Sequence, residues 1–504
     1  MDTIPAVLRA AAAATPDREA VVTADARLTF AELLARVRLF SRAAVASGLQ
    51  HGDRVAMWAP NTVDWIVAAL GLTGIGVVLV PVNTRFKGEE ARYLLDRTGV
   101  SALVVDDVFL TDLLGADPLA ALGNPDVQVI RTSDLGTFLA RAEEVSEDEI
   151  EKAAGAVAPE DPSDIIFTSG TTGKPKGAVA RHGQSVRLYR TWADTVGLRE
   201  GERMLVVAPF FHTFGYKAGL LACLLKRATC VPLKVFDVDE ALHTIAVERI
   251  DVVPGPPTLY SSLLEHPARA GADLSSLRLA VTGAAVVPTA LIARMRTELG
   301  FREVITAYGL TECGGFATGC RPGDPDEVIS LTSGRAAEGV EVEVLADPGQ
   351  PGEVVIRGFG VMTGYWDDPA ATAEAIDENG WLHTGDIGVM DEAGNLRITD
   401  RLKDMYVVGG FNAYPAEIEQ VLVRHEGVSE AAVIGVPDER MGEVGKAFVV
   451  LRAGSHVEPA DLVAWCRELL ANYKVPRSVE LVDALPRNAT GKVTKDVLRR
   501  SRGR

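Results

Sequence analysis

Residues 168–177 read TSGTTGKPKG and come directly after the apolar run DIIF at residues 164–167. Glycines allow tight turns and close approach of a backbone to a ligand, while hydroxyl groups and main-chain N–H groups can surround phosphate oxygens. The stretch also holds Lys174 and Lys176, two of only 12 lysines in the chain. This pattern predicts a loop that follows a buried strand and binds phosphate.

The loop is not a P-loop of the G-x-x-x-x-G-K-[ST] kind. Pro175 follows Lys174, and no glycine stands five positions before Gly173. A P-loop needs a hydroxyl side chain after its lysine to bind magnesium. The sequence therefore argues against a P-loop kinase or ATPase.

The chain on both sides of this loop alternates short apolar runs with helical patterns, as in DRVAMWAP, SALVVDD and RMLVVAPFF. Such runs are typical of parallel sheets covered on both faces by helices. From about Gly339 the apolar runs shorten and are joined by Asp, Gly and Pro turns, which predicts a β-rich subdomain. We expect an α/β fold with a large N-terminal domain at residues 1–400 and a small α+β domain at 401–504.

The composition limits the classes of partner. The chain has 504 residues, with 51 Lys plus Arg against 69 Asp plus Glu and a formal net charge of −18. DNA, RNA and anionic membranes select basic surfaces, so we expect no general affinity for nucleic acid. The five cysteines show no C-x-x-C spacing and the N-terminus shows no signal-peptide pattern, which together favour the cytoplasm.

One segment imitates a membrane span. Residues 65–84 contain no charged side chain, but Gly71, Gly74, Gly76 and Pro81 interrupt them. We interpret the segment as a buried helix followed by a buried strand, and we predict no integral membrane span.

A second segment reads Tyr308-Gly309-Leu310-Thr311-Glu312, in which a carboxylate beside a hydroxyl forms a hard oxygen site suited to magnesium. Together with residues 168–177 and further segments in the same order, it resembles the adenylate-forming enzymes. These include the acyl-CoA synthetases, the adenylation domains of peptide synthetases and firefly luciferase. The resemblance runs from LTFAEL at residues 28–33 to Gly491-Lys492 and implies that the protein uses ATP, Mg²⁺ and CoA.

The resemblance implies roles for residues of the first domain. Tyr308 would stack on adenine beside Gly309, Thr311 and Glu312 would serve the α-phosphate and the metal, and Thr168 would share the metal site. The strand and turn at Gly283, Ala284 and Ala285 would pack on the other face of the adenine. The phosphates would be bound by Thr168, Ser169, Gly170, Thr171, Thr172, Gly173, Lys174 and Lys176.

It also implies roles in the last part of the chain. Asp386 and Arg401 would hold the ribose, although a buried salt bridge is the alternative for this pair. Lys403 stands at the hinge about which the small domain moves. Gly409 and Gly410 would line the passage of the CoA pantetheine, or else form only a hairpin turn. Lys492 would reach the carboxylate and the α-phosphate as the catalytic lysine of adenylation.

The acid is predicted from residues 210–216, FFHTFGY. The resemblance places His212 near the substrate carboxylate and the thiol passage, and we expect Phe214 and Tyr216 to border a roomy apolar pocket. This segment, with PGPPTLY, EHPAR and DRLKDMYVVGGFNAYPAEIE, is also similar to ligases that activate the bicyclic indane propionate left after sterol ring cleavage.

The implied function is an AMP-forming acid–CoA ligase of lipid or sterol catabolism, acting on a bulky apolar propionate-type acid. Its partners would be a small carboxylic acid and CoA, and a homodimer is left open. A medium-chain fatty acyl-CoA or aryl-CoA ligase is the alternative. A non-thioesterifying adenylation domain and a luciferase-like oxygenase are the alternatives from other classes.

Overall fold

The computed structural model describes residues 2–168, 175–283, 287–402, 404–408, 411–438, 441–470, 472–488 and 492–500. The chain packs into two compact units. The first comprises Met1–Gly283, Val287–Glu341 and Ile356–Leu382, and the second is formed mainly by Val342–Val355 and His383–Arg504.

The first unit is built on two large sheets. Its strands are β1 Glu19–Val22, β2 Arg27–Thr29, β3 Arg54–Trp58, β4 Val78–Pro81, β5 Ala102–Val105, β6 Gln128–Arg131, β7 Pro162–Thr168, β8 Lys176–Arg181, β9 Arg203–Val206, β10 Thr229–Pro232, β11 Val252–Pro254, β12 Leu279–Gly283, β13 Glu303–Tyr308, β14 Thr318–Gly319, β15 Arg335–Ala336, β16 Val340–Leu345, β17 Gly352–Gly358 and β18 Gly364–Tyr365. The boundary between the units passes through β16 and β17.

Helices of this unit connect the strands. They are α1 Ile4–Ala14, α2 Phe30–Ala46, α3 Val63–Thr73, α4 Gly88–Thr98, α5 Asp107–Leu114, α6 Pro118–Ala121, α7 Leu135–Ala140, α8 Glu147–Gly155, α9 His182–Val196, α10 Ala222–Lys226, α11 Val238–Glu248, α12 Pro257–Glu265, α13 Thr289–Thr297, α14 Asp326–Leu331 and α15 Pro369–Ala375. A π-helix at Phe214–Leu221 precedes α10. Helix α2 begins after Thr29, because Thr29 and Glu32 cap each other's backbone N–H groups.

The strand order explains where a ligand can bind. One sheet runs β15-β14-β13-β12-β11-β9-β10-β1-β2 and the other runs β18-β8-β7-β4-β3-β5-β6. The central pairs in both sheets are parallel, while β7 pairs with β8 in antiparallel fashion. Loops after parallel strands gather at one edge of each sheet, which is the usual place for a ligand in such folds.

The uncharged segment at residues 65–84 falls within α3 and β4, and its residues are almost entirely buried. Across the described parts of the chain, none of the helices combines the length and the apolar character that crossing a bilayer needs.

The second unit has its own strands and helices. They are β19 Leu382–Met390, β20 Leu396–Arg401, β21 Tyr406–Val408, β22 Phe411–Ala413, β23 Val428–Asp438, β24 Gly442–Leu451, β25 Ser478–Leu481, α16 Pro415–Val423, α17 Pro459–Leu469 and α18 Lys495–Arg500. One sheet has the order β16-β17-β19-β20, and the other has the order β22-β21-β24-β23 with β25 paired to β24. Helices α16 and α17 cover a core that includes Ile418, Leu422, Val449 and Leu462.

The predicted fold class is confirmed, since helix-flanked, largely parallel sheets are followed by a small α+β part. The boundary at residue 400 stays a prediction, because a division by packing does not test where a domain turns. The hinge residue Lys403 lies outside the described residues. The mobility of the small domain also stays a prediction.

Candidate active site

Three of the predicted site residues stand at the carboxyl ends of strands. Thr168 is the last residue of β7, Gly283 ends β12 and Tyr308 ends β13. Strands β12 and β13 are parallel neighbours, with Gly283 paired to Ala307. Ligands of open parallel sheets bind beyond the carboxyl ends of the strands. The fold therefore puts these residues where a nucleotide would bind.

The two residues predicted to bind magnesium are in direct contact. The Thr168 hydroxyl donates a hydrogen bond to Oε1 of Glu312 over 3.1 Å. Glu312 lies in the 3₁₀ turn Thr311–Cys313, which follows β13 and closes with a bond from the Gly314 N–H to the Thr311 carbonyl. A turn after one sheet thus carries its carboxylate to the strand end of the other sheet.

Tyr365 is a residue of this site that sequence reasoning missed. Its hydroxyl donates to the same Oε1 atom of Glu312 over 3.0 Å, and the Lys176 ammonium lies 5.2 Å from the centre of its ring. Burial and the neighbouring Glu312 carboxylate raise the pKa of Tyr365 well above its usual value, so the phenol remains a donor at neutral pH. The sequence carries no pattern that marks Tyr365. In the structure this residue lies in the short strand β18, which pairs with β8.

The donor set fits magnesium. Mg²⁺ prefers hard oxygen ligands and is commonly held by one or two carboxylates together with substrate phosphates and water. Glu312 offers a carboxylate whose orientation is fixed by two hydroxyl donors on one oxygen. Within the described ranges, no group of three or more His, Cys, Asp or Glu residues is arranged to hold a metal by itself. A metal at this site would therefore be held by Glu312 and the phosphates of the nucleotide.

Several predicted residues cannot be placed. Arg401 is described only through its backbone, as part of β20. The following predicted residues lie outside the described residues: Ser169, Gly170, Thr171, Thr172, Gly173, Lys174, Ala284, Ala285, Lys403, Gly409 and Gly410.

Two predicted glycines are explained by the packing of the backbone. A Cβ atom on Gly283 would lie 2.4 Å from the Ala307 carbonyl oxygen, and one on Gly309 would lie 2.5 Å from the carbonyl of Gly315. Real Cβ atoms do not approach other atoms this closely, so neither position accepts a side chain without a shift of backbone. Tyr308 and Thr311, on either side of Gly309, are half-buried.

The segment that carries His212 is anchored by one buried side chain. The Asn61 amide donates to the Ala208 carbonyl over 3.0 Å and accepts from the Phe210 N–H over 2.7 Å. His212 is half-buried, and its Nδ1 accepts from the Phe214 N–H over 3.2 Å. Because Nδ1 is an acceptor, the proton of the neutral ring is on Nε2.

Tyr216 does not border a pocket, and this expectation was wrong. Its side chain is fully buried, and its ring packs against Trp65 with centroids 5.4 Å apart. Phe214 is half-buried, as a residue beside a cavity can be. The wide turns of the π-helix determine which of these side chains are buried. A sequence pattern does not reveal a π-helix.

The His212 segment also contacts the turn that carries Glu312. The Tyr189 hydroxyl donates to the Gly314 carbonyl over 2.8 Å. A Cβ on Gly315 would lie 2.6 Å from the side chain of Thr213. Gly314 and Gly315 are therefore needed for close packing, and Gly315 brings the turn that carries Glu312 next to Thr213, the residue after His212.

A buried ion pair lies under this segment and was also missed. The Lys217 ammonium, on the π-helix, lies 2.9 Å from Oδ1 of Asp164 on β7, with both side chains almost fully buried. Lys217 also donates to the Ser185 hydroxyl over 3.0 Å. The pair ties the strand that ends at Thr168 to the helix that follows His212.

In the second unit, Asp386 and Arg401 stand opposite each other. They are paired in register on the antiparallel strands β19 and β20. Asp386 is buried, and its N–H donates to the Thr384 hydroxyl over 3.1 Å. Glu353 fixes the residues that precede Asp386. Its Oε1 accepts from the Gly385 N–H over 3.1 Å, and its Oε2 lies 2.9 Å from Nδ1 of His383.

Lys492 lies in the second unit, with its side chain exposed. The Asn488 N–H donates to the Lys492 carbonyl over 2.8 Å, and the Lys492 N–H donates to Oδ1 of Asn488 over 2.9 Å. These two bonds fix the backbone on which the predicted catalytic ammonium is carried.

A comparison with known protein families shows to which family this chain belongs. The family described as AMP-binding enzyme matches residues 8–366, and the AMP-binding enzyme C-terminal domain matches residues 417–492. The chain belongs to the AMP-binding enzyme family. The family prediction from the sequence is therefore confirmed.

Relatives within the AMP-binding enzyme family match nearly the full length. A protein of Rhodococcus jostii (strain RHA1), named 3-[(3aS,4S,7aS)-7a-methyl-1,5-dioxo-octahydro-1H-inden-4-yl]propanoyl:CoA ligase, is 49% identical over 99% of this chain and 98% of its own. A protein of the same name from Mycobacterium tuberculosis (strain ATCC 25618 / H37Rv) is 50% identical, also over 99% of this chain and 98% of its own.

A solved AMP-binding enzyme structure shows the same fold. MatB from Rhodopseudomonas palustris, solved with ATP bound, superposes with a TM-score of 0.85 at 30% identity and covers 99% of both chains. The predicted acid–CoA ligase class agrees with the names of the relatives. ATP as a nucleotide substrate agrees with the family and with this structure.

Proposed function

We propose that this protein is an AMP-forming acid–CoA ligase whose acid is a bicyclic, ketone-bearing indane propanoate of the kind left after sterol ring cleavage. The observation that carries this proposal is identity of about half over nearly the whole length to two ligases named for that acid. The His212 segment, which the sequence already related to such ligases, supports it.

In the first half-reaction, a carboxylate oxygen of the acid attacks the α-phosphorus of ATP, the bond to the β-phosphate breaks, and pyrophosphate leaves. We assign Thr168 and Lys176, with the loop 169–174, to binding the phosphates. We assign Lys492 to neutralising charge on the attacking carboxylate and the α-phosphate. A lysine suits this task because its ammonium is a flexible point charge.

The bound metal would supply positive charge to phosphate oxygens as pyrophosphate leaves. We assign Glu312 to holding Mg²⁺, and we assign the hydroxyls of Thr168 and Tyr365 to orienting its carboxylate. Tyr308 would stack on the adenine, and Asp386 with Arg401 would hold the ribose. These roles are consistent with the positions of Thr168 and Tyr308 at strand ends and with the burial of Asp386 in β19.

In the second half-reaction, the CoA sulfur attacks the carbonyl carbon of the acyl adenylate, the thiol proton is lost to solvent or buffer, and AMP leaves. We propose that the small domain turns about Lys403 between the two steps. This turn would withdraw Lys492 and bring Gly409 and Gly410 to the pantetheine. His212, whose Nε2 carries the proton of its neutral ring, would lie beside the acid carboxylate.

The test is a comparison of acids with the purified protein, ATP, Mg²⁺ and CoA, with the acyl-CoA product identified by mass. The panel contains the methyl-dioxo-indane propanoate, octanoate, ferulate and benzoate. We expect kcat/KM to be highest for the indane acid, by tenfold or more, since about 1.4 kcal/mol of extra binding in the transition state gives tenfold. The Lys492→Ala variant should lose pyrophosphate release.

Each other outcome overturns a defined part of the proposal. Equal use of octanoate or an aryl acid would leave a ligase of the alternative substrate class. Release of pyrophosphate without any thioester would favour a non-thioesterifying adenylation domain, and light emission or oxygen uptake would favour an oxygenase. Pyrophosphate release that Lys492→Ala leaves unchanged would contradict the role of Lys492.

A further inference from the structure

The last described helix, α18, is held to its own unit by two ion pairs. The Lys495 ammonium lies 2.8 Å from Oε1 of Glu419, and the Arg499 guanidinium lies 2.7 Å from Oδ1 of Asp404. The side chains of Lys495 and Glu419 are only 15% and 19% exposed, and that of Asp404 is 11% exposed. The Lys495–Glu419 pair is therefore largely enclosed, unlike the surface pairs whose contribution is usually negligible. In the second pair only Asp404 is enclosed, since the Arg499 side chain is 32% exposed.

The charges around Lys495 favour its ammonium form. Burial alone would lower the pKa of Lys495, but the carboxylates of Glu419, Asp400 and Asp404 raise it above its usual value. The Glu419 carboxylate is held in turn, because Oε1 accepts from the Val433 N–H over 2.7 Å. The pair therefore links α18 to both α16 and β23.

Apolar packing also holds the same helix. Leu498 packs with Ala432, Ile434, Phe448 and Leu485 in a small core of the second unit. The Thr494 N–H donates to the Pro486 carbonyl over 2.8 Å. The backbone from residue 492 to α18 is thus tied at several points, and Lys492 stands only three positions before Lys495.

The second ion pair involves the residue next to the predicted hinge. Asp404 directly follows Lys403, the predicted hinge. Its partner Arg499 lies on the helix that follows Lys492. A contact between these two residues connects the residue after the hinge to the segment that carries the proposed catalytic lysine.

We propose that the pairs Lys495–Glu419 and Arg499–Asp404 position Lys492, so that the lysine moves as one body with the segment after the hinge and reaches its adenylation position with a fixed orientation. Lys495, Arg499 and Asp404 are positioning residues in this scheme and do not contact substrate. The inference rests on the proposed role of Lys492. Enclosed ion pairs add little net stability compared with apolar packing, but they fix geometry.

The experiment separates the two half-reactions. Adenylation is measured as pyrophosphate release from ATP with the best acid of the panel, and thioester formation is measured separately from synthetic acyl adenylate and CoA. We expect Arg499→Asp to lower adenylation by about tenfold, the size of coupling typical of residues in contact, and to leave thioester formation within about threefold. The double variant Arg499→Asp/Asp404→Arg should regain most of the adenylation rate.

A matched control lies in the same unit. Lys474 forms an ion pair of 2.7 Å with Glu417, which is also on α16. Lys474→Met should leave both half-reactions unchanged. If the charge-reversed chains are insoluble, Arg499→Gln removes the contact with Asp404 with less disturbance, together with the pair of 2.8 Å between Arg499 and Asp496 within α18. The same difference between the half-reactions is expected.

Two results would overturn the inference. One is full adenylation activity in Arg499→Asp or Arg499→Gln. The other is an equal fall of both half-reactions together with a lower melting temperature, which is the signature of a merely structural contact. Lys492→Ala is measured in parallel. If it leaves adenylation intact, the proposed function of Lys492 fails; if it abolishes adenylation while the Arg499 variants do not, only the positioning inference fails.

Discussion

Tyr365 donates its phenol hydroxyl to Oε1 of Glu312 over 3.0 Å, and this contact is made at the carboxylate proposed to hold the metal. A hydrogen bond to a charged group contributes about 1.5–3 kcal/mol, which is enough to decide the orientation of a carboxylate. Thr168 donates to the same oxygen, Oε1. These two hydrogen bonds fix the orientation of the Glu312 carboxylate and therefore the direction of its other oxygen.

Removing the hydroxyl of Tyr365 should therefore weaken the metal site. We expect Tyr365→Phe to lower adenylation by about tenfold, the equivalent of one charge-assisted hydrogen bond, and to raise the Mg²⁺ concentration needed for half-maximal rate. Pyrophosphate release measured across a magnesium titration checks this. Tyr473→Phe, in the second unit, is the control; a magnesium dependence that matches the wild type would contradict the prediction.

The buried Lys217–Asp164 pair makes a prediction about stability. Lys217→Met leaves the Asp164 carboxylate enclosed without its partner, and breaking such a pair costs about 3–5 kcal/mol. The double variant Lys217→Met/Asp164→Leu should recover most of this loss, since it removes both charges. Denaturant unfolding measures the effect.

The control for that series is the exposed pair of Lys226 and Asp194. Lys226→Met should change the free energy of unfolding by less than about 1 kcal/mol, as is usual for surface pairs. A loss in Lys217→Met no larger than in Lys226→Met would show that the Lys217 charge is not needed in the core.

The burial of His182 leads us to expect that the free energy of unfolding depends on pH. His182 is fully buried, and burial lowers the pKa of its imidazole from 6.5 to about 4. The unfolded chain takes up a proton near pH 6.5, whereas the folded chain does so only near pH 4. Stability present above pH 6.5 is therefore lost as the pH falls toward 4, by about 3 kcal/mol at roughly 1.4 kcal/mol for each pKa unit.

The His182→Gln variant separates this residue from other acid-sensitive groups. Its free energy of unfolding, measured by denaturant at pH 7, 6 and 5, should fall less steeply toward low pH than that of the wild type. Parallel slopes in the two proteins would refute the assignment. The comparison of slopes remains valid even where the variant is less stable at every pH.

We expect a side chain at Gly309 to clash with the backbone of the turn that follows it. A methyl group there meets the Gly315 carbonyl at 2.5 Å, so the chain after Glu312 must shift. Because Gly315 also contacts Thr213, we expect Gly309→Ala to raise the KM for ATP and to lower adenylation by more than tenfold, the cost of displacing catalytic groups by a fraction of an ångström.

Gly136→Ala provides the comparison, since a Cβ at Gly136 meets nothing within 4 Å. It lies in helix α7, where alanine is favoured over glycine, so this variant should retain activity and stability. Normal kinetics in Gly309→Ala would mean that the turn adapts without moving Glu312.

The sequence predicted the fold class well because short apolar runs and the helical patterns between them are local. The contact of Thr168 with Glu312 could be anticipated only from the family resemblance, since no local pattern joins positions 144 apart. Tyr365 was missed for the same reason, because a tyrosine in a two-residue strand has no periodicity to mark it.

The segment after His212 shows where local patterns fail. After the apolar run RMLVVAPFF, a π-helix occupies Phe214–Leu221 and is followed by α10. The wider turn enclosed Tyr216 and buried Lys217, whereas a lysine in an apolar run is normally interpreted as exposed. Only the pairing with Asp164, which is a tertiary contact, explains its position.

The burial of Lys217 has a chemical consequence. Free amines attack the carbonyl carbon of acyl adenylates and displace AMP, while guanidinium groups stay protonated and do not react. Arginine makes up 39 of the 51 basic residues (51 − 12 lysines). The Lys217 amine, five positions from His212, is enclosed with Asp164 at 2.9 Å and Ser185 at 3.0 Å, away from solvent. If an acyl adenylate is formed as proposed, the burial of Lys217 keeps this amine out of reach of acylation.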